Sequence, residues 1–130
     1  MSANRIPIHL DSGHVAQVQI STANTARDGT GTIGTLLTAD GNGYLVTRLD
    51  VTAAGTTSAG LVTVFLHDGS NYRLFTEITV SAVTPSTTLA AATAYWTASG
   101  SGLYLPSGWS IRVATTIAQT LNVFAHYGKY

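Results

Sequence analysis

An alternation of apolar and polar side chains with a two-residue period recurs in short segments of this chain. It is clearest over residues 71–83, 109–116 and 121–127. A two-residue period places successive side chains on opposite faces of extended backbone, so each segment is predicted to form a half-buried β-strand. No segment has the period of an amphipathic helix. The pattern therefore predicts a nearly all-β protein.

Other segments predict further strands. The run 61–67 is apolar on both faces, which is typical of a central strand or of one covered by a partner. In 44–51 the alternation places Leu45, Leu49 and Val51 on one face. The remaining predicted strands are 5–10, 15–20, 33–38 and 88–96. From the alternation we expect a core that includes Leu74, Ile78, Val80, Trp109, Ile111 and Val113.

Turn signals separate the predicted strands at intervals of about ten residues. They are Asp28-Gly29, Asp40-Gly41, Asp68-Gly69 and Pro106-Ser107-Gly108. Short strands with regular turns predict a single-domain antiparallel β-sandwich or jelly roll with an extended N-terminal arm. Within that one domain, residues 1–43 hold the arm, the first strands and a Gly/Ser/Thr-rich loop, and residues 44–130 form the main sandwich. The stretch 21–43 is expected to be an extended arm or a long loop.

The low charge of the chain excludes several classes of function. Charged residues make up 9% of the 130 residues, against about 25% in an average soluble protein, and the formal net charge is zero. No basic field is present to attract nucleic acid or an anionic membrane. The uncharged stretch between Glu77 and Arg112 is interrupted throughout by Thr, Ser, Gly and Pro85, so it does not predict a membrane span. Arg5 and Asp11 bracket too few apolar residues for a signal peptide, so we expect no secretion.

Gly29, Gly31 and Gly34 match the GxGxxG spacing of a dinucleotide-binding loop. That fingerprint requires a strand before the glycines and a helix after them, because the pyrophosphate lies at the helix N-terminus. In this chain a loop is predicted before the glycines and a β-branched stretch follows them. We interpret the match as a coincidence and predict no cofactor.

Asp11, Ser12 and His14 are the three residue types of a hydrolase triad. In a working triad the imidazole lies between the nucleophile and the carboxylate, which usually come from distant segments. We therefore interpret Asp-Ser-Gly as a turn between strands 5–10 and 15–20.

The histidines and carboxylates do not form a recognisable site. His9, His14, His67 and His126 lack the close spacing of a preformed metal site. The six acidic residues are scattered, whereas a glycosidase needs two that face each other. We expect no catalytic residue, no metal ligand and no enzymatic activity.

The sequence also predicts an assembly. A small β-protein usually protects its sheet edges with lysine or other charges, and this chain has one lysine, Lys129. A net charge near zero favours association as well. We infer that other copies cover the edges and the apolar outer faces. The candidate interface residues are Ile6, Ile8, Leu61, Phe65, Tyr127 and Tyr130.

Three segments resemble a family of small structural proteins of tailed bacteriophages. They are DGTGTIG (28–34), AGTTSAGLVTVFLHDGSNYRLFTEITV (54–80) and LPSGWSIRVATTIAQTLNVFAHYGKY (105–130). The member type that fits the size and the fold is a head decoration, or cement, protein. The resemblance implies a homotrimer on the virion surface, bound to the major capsid protein and assembled in the host cytoplasm, without catalytic residues.

Two other functions remain open on the sequence. The chain could be a tail, neck or fibre component of a virion. It could also be a carbohydrate-binding β-sandwich module that uses exposed Trp or Tyr side chains as platforms. The count of copies per virion separates the first from a head protein, and a change of Trp fluorescence with polysaccharide tests the second.

Overall fold

The computed structural model describes residues 9–130, and all regular structure in that range is β-strand. The predicted all-β class is confirmed. The nine strands are β1 (Asp11–Ile20), β2 (Gly34–Thr38), β3 (Tyr44–Ala53), β4 (Gly60–His67), β5 (Tyr72–Val80), β6 (Thr93–Thr97), β7 (Leu103–Leu105), β8 (Ser110–Thr115) and β9 (Leu121–Lys129).

The strands pair as if one long antiparallel hairpin, with its two ends at β1 and β9 and its turn between β4 and β5, were folded over on itself. β1 pairs with β9, β2 with β8, β3 with both β6 and β7, and β4 with β5, and every one of these pairs is antiparallel. Because β7 pairs with residues 44–46 of β3 and β6 with residues 48–52, the two lie end to end along one edge of β3 and occupy one strand position. This pairing is the strand order of an eight-position jelly roll.

Two sheets result from this order and pack as a sandwich. The five-stranded sheet has the order β1-β9-β3-β6, with β7 also on β3, and the four-stranded sheet has the order β2-β8-β4-β5. The core lies between their inner faces. Of the residues predicted for the core, Ile78, Val80, Ile111 and Val113 are buried, and Trp109 is partly buried against them.

Leu74 is not in the core, so that prediction is wrong. The register of β4 and β5 shifts by one residue, because Val64 pairs with Thr76 whereas Phe65 pairs with Leu74. Phe75 is the extra residue of this β-bulge, and a bulge reverses the faces of the residues beyond it. Leu74 is therefore 38% exposed. The ring of Phe75 packs edge-on against Trp96, with their centroids 5.3 Å apart.

The N-terminal strands also differ from the prediction. Residues 1–8 lie outside the described residues, and His9 and Leu10, the end of predicted strand 5–10, are not in a strand. Asp-Ser-Gly is not a turn, because β1 runs without a break from Asp11. A bulge between Asp11 and His14 accommodates Gly13, whose φ is +91°. The short β7 had no sequence prediction.

The Gly- and Thr-rich residues 21–33 form a long loop that crosses the outer face of the four-stranded sheet. At one end the Asn24 N–H donates to the Thr115 carbonyl at the end of β8, 2.8 Å away. At the other end Arg27 Nε donates to Glu77 Oε2 on β5, also at 2.8 Å. Since β4 lies between β8 and β5, this segment, called here the covering loop, passes over β4.

Hydrogen bonds within the covering loop fix its shape. The buried Asn24 amide donates to the carbonyls of Thr30 and Thr32, at 2.8 and 3.0 Å. Asp28 accepts hydrogen bonds from the hydroxyl and the N–H of Thr30, and these bonds hold the pKa of Asp28 below its ordinary value. Gly29 has φ +90° and lies directly on Tyr72 of β5. The loop is therefore packed on the sheet rather than extended from it.

We expect Gly29→Ala to destabilise the fold more than Gly69→Ala. Both residues have positive φ, so each substitution introduces about 1–3 kcal/mol of backbone strain. Only at Gly29 would the new Cβ overlap the Tyr72 side chain, with Cγ 2.7 Å away, whereas at Gly69 nothing lies within 4 Å. Urea denaturation midpoints measure the difference. Equal losses would show that the covering loop does not pack on Tyr72.

Candidate interaction surfaces

The outer face of the four-stranded sheet is closed by the chain itself. Phe65 is 0% exposed although it lies outside the core cluster between the sheets. The ring of Tyr72 packs edge-on against Phe65, at 6.2 Å between centroids. Arg112 donates to the Tyr72 hydroxyl at 2.8 Å, and the covering loop passes above. Of the predicted interface residues on this face, Phe65 therefore presents no surface, whereas Leu61 is half-buried.

The edge of the same sheet is open at β5. β5 is the last strand of the sheet, and within residues 9–130 no strand pairs with its outer edge. It exposes Leu74 and Phe75, at 38% and 37%. The strand has no lysine, and one of its two charged residues, Glu77, is paired with Arg27. A long, apolar edge of this kind favours association with another chain.

A network of charged side chains lies on the outer face of the five-stranded sheet. Asp50 on β3 is at its centre. Arg48 Nε donates to Asp50 Oδ1 at 2.7 Å, and His126 Nε2 on β9 is hydrogen-bonded to Asp50 Oδ2 at 2.7 Å. The Arg48 guanidinium also lies over the ring of Tyr95 on β6, 4.4 Å from its centroid. These contacts join three neighbouring strands through their side chains.

A β-bulge in β3 places Arg48 in this network. Val46 pairs with Tyr127 and Arg48 with His126, so Thr47 is an extra residue. If β3 alternated regularly through Thr47, with no bulge, Arg48 would be on the same face as Val46, which is fully buried. Alternation in 44–51 puts Arg48 and Asp50 on the face opposite Leu49 and Val51, but neither residue was predicted to be functional. The alternation of β9 predicted that His126 points away from the core. It could not predict that β9 pairs with β3, because that pairing is a long-range contact.

The C-terminal tyrosines lie at one end of the five-stranded sheet. Tyr127 is half-buried and stacks between His14 and Tyr44, with centroid distances of 5.5 and 5.0 Å. Tyr130 is 37% exposed and lies 6.0 Å from Tyr104. Tyr127 is thus largely part of the chain's own packing, and Tyr130 remains accessible. The other two predicted interface residues, Ile6 and Ile8, lie outside the described residues.

Three of the four histidines, His14, His67 and His126, form hydrogen bonds within the chain. His14 Nε2 lies 3.0 Å from Asp11 Oδ2 on exposed β1. Among residues 9–130, no three His, Cys, Asp or Glu side chains come together as a metal site would require. Gly34 opens a strand rather than a helix, so the GxGxxG glycines lack the helix N-terminus on which a pyrophosphate lies in the dinucleotide-binding fingerprint.

Each carboxylate accepts at least one hydrogen bond. Asp40 accepts from the Tyr44 hydroxyl at 2.7 Å. The N–H groups of Asn71 and Ser70 donate to Asp68 in the β4–β5 turn and hold the pKa of Asp68 below its ordinary value. The others pair with His14, Thr30, Arg48, His126 or Arg27.

None of the described residues forms a helix long and apolar enough to cross a membrane.

Comparison with known proteins gives little further information. No family model matches the chain, and no curated protein matches it. Among solved structures, a chain described as "Cyanophage Pam1 capsid asymmetric unit" is similar with 18% sequence identity and a TM-score of 0.43. The alignment covers 99% of this chain and 94% of that chain.

We expect the stability of the protein to fall as the pH rises from about 10 to about 12. Burial, together with the hydrogen bond to Asp40, raises the pKa of Tyr44 to about 12, against about 10 for an ordinary phenol. A raised pKa means that the neutral phenol is favoured in the folded state. Its contribution to stability is complete below about pH 10 and is lost as the pH approaches 12.

Thermal unfolding midpoints across this range, measured for the wild type and for Tyr44→Phe, test the assignment. The variant should lose less stability between about pH 10 and 12, because Phe has no proton to release. Identical pH dependence in the two proteins would contradict it.

Proposed function

We propose that this protein is a non-enzymatic structural component of a tailed-phage virion that decorates the outer surface of the head as a homotrimer. In this role it binds the major capsid protein and stabilises the shell. The observation that carries the proposal is the open β5 edge, which exposes Leu74 and Phe75. Jelly rolls are frequent among viral capsid domains, and the three sequence segments that resemble phage structural proteins agree with this role.

The way the charges are used also supports a structural role. The carboxylates accept hydrogen bonds in ion pairs, in turns and from a tyrosine hydroxyl. The surface that remains is close to neutral and rich in hydroxyl side chains. Such a surface supplies no electrostatic attraction to nucleic acid.

Stabilisation of a capsid by a bound decoration protein requires no catalytic step. A trimer that binds only the expanded shell stabilises that state by mass action, and the effect grows with the number of sites occupied. A trimer also covers three β5 edges at once, which removes the association hazard that each free edge presents.

We expect the isolated protein to be a trimer of about three times 13.5 kDa by light scattering. Leu74→Lys on the β5 edge should shift it toward the monomer, because a lysine on an edge strand opposes pairing. Leu89→Lys is the matched control, since Leu89 is 54% exposed and lies outside the strands. A wild-type monomer, or equal effects of the two substitutions, would overturn the β5 contact.

We expect phage heads stripped of the protein to lose resistance to heat or dilution and to regain it when the protein is added back. The count of copies per virion, measured by gel densitometry against the major capsid protein, separates the head from the tail, neck or fibre. A count near that of a tail-tip protein, or the absence of any affinity for heads, would favour the tail alternative.

A further inference from the structure

The outer face of the five-stranded sheet presents an ordered array of side chains across four strands. Residues that pair with one another on β1, β9, β3 and β6 form a row of side chains across the sheet. One such row crosses the middle of the sheet, and one lies on either side of it. Neighbouring strands are about 4.8 Å apart, so each row is regularly spaced. The middle row is Gln17, Phe124, Asp50 and Tyr95, and the flanking rows are Gln19, Asn122, Thr52 and Thr93, and Val15, His126, Arg48 and Thr97.

Contacts within the array hold several of its polar groups in place. Asp50 is fixed between Arg48 and His126, as described above. The Gln19 amide donates to Asn122 Oδ1 at 3.0 Å, which joins β1 to β9. The Arg48 guanidinium packs on Tyr95, so the ring is held in position although it is 62% exposed. A site whose groups are already oriented binds its ligand with a smaller entropic cost.

The face has two adjoining depressions rather than one pocket. They have volumes of about 470 and 350 Å³, and Phe124 contributes to both. The larger is lined by the Arg48, Asp50, His126 and Tyr95 group, and the smaller by Gln17, Gln19 and Asn122. Two shallow depressions on either side of one aromatic ring fit an elongated ligand with repeating units.

We propose that this face binds a neutral oligosaccharide. Its amide, guanidinium, carboxylate and hydroxyl groups offer both hydrogen-bond donors and acceptors, which is what a polyhydroxylated ligand requires. The aromatic rings of Phe124 and Tyr95 offer apolar surface to the C–H face of a sugar ring. The charges of Arg48 and Asp50 cancel, so the face does not select for an ionic ligand.

The chemistry of the face favours a saccharide over macromolecules of other classes. A nucleic acid or a sulfated polymer needs a basic surface, and Arg48, the one arginine or lysine of the array, is paired with a carboxylate. A protein interface has an apolar centre, whereas here the aromatic rings alternate with polar side chains. The inference does not depend on the decoration role, because a monomer would present the same face.

The first test uses the wild-type protein on an array of immobilised neutral, sialylated, sulfated and uronate oligosaccharides. We expect retention on neutral oligosaccharides. Retention on acidic members alone would overturn the proposed ligand class, and retention on none would overturn the proposal. The neutral oligosaccharide with the strongest signal is then titrated in solution by calorimetry.

Variants locate the site. Tyr95→Ala should weaken binding of that oligosaccharide about tenfold, since an aromatic contact of this kind accounts for about one factor of ten. Asp50→Asn should weaken it as well, because the carboxylate that orients Arg48 and His126 is lost. Tyr104→Ala is the matched control, since Tyr104 is 51% exposed on β7, beside the same strand β3, but lies outside the array. Unfolding midpoints confirm that each variant is folded.

Two further results would contradict the assignment. If Tyr104→Ala weakens binding as much as Tyr95→Ala, the site lies elsewhere. If Tyr95→Ala prevents attachment to phage heads while the wild type binds no oligosaccharide, the face is a protein contact.

If attachment to heads fails while oligosaccharide binding is intact, the decoration role is wrong and the saccharide site stands.

Discussion

The covering loop buries Phe65, and this contact determines which surfaces of the molecule remain exposed. β4 is apolar on both faces, so its outer side needs a cover that a single sheet does not provide. Residues 21–33 supply that cover from within the chain, fixed by Asn24 at β8 and by Arg27 at β5. The apolar side chains that the four-stranded sheet still exposes are then Leu74 and Phe75 on β5, and the five-stranded sheet keeps a largely polar outer face.

Alternation and turn chemistry predicted most of the strands, because both are local properties of the sequence. The Asp68-Gly69 turn, for example, joins β4 to β5 with Gly69 at φ +99°. Two of the errors lie at β-bulges. Alternation placed Leu74 in the core and Leu45 on the same face as Leu49 and Val51. The extra residues at the bulges, Phe75 and Thr47, reverse the faces of Leu74 and Leu45. A single sequence gives no local signal for these insertions.

The candidate sites could be predicted only in part, since they depend on long-range pairing. Alternation predicts that Arg48, Asp50 and His126 point outward. Their contact requires β3 and β9 to be neighbours in the sheet, and Asp50 and His126 are 76 positions apart in the sequence. The packing of the covering loop over Phe65 could not be predicted from the sequence either. A Gly- and Thr-rich segment has the composition of a flexible arm, and its packing depends on Gly29, which allows the backbone to approach Tyr72 closely.

Electron cryomicroscopy of phage heads incubated with the protein would show where and how it binds. We expect jelly rolls grouped in threes on the outer surface of the head, with the β5 edges at the contacts between copies. We also expect the outer face of the five-stranded sheet to point to solution, where a saccharide can reach Tyr95. Density at the tail, bare heads, or copies in contact through the five-stranded sheet would contradict it.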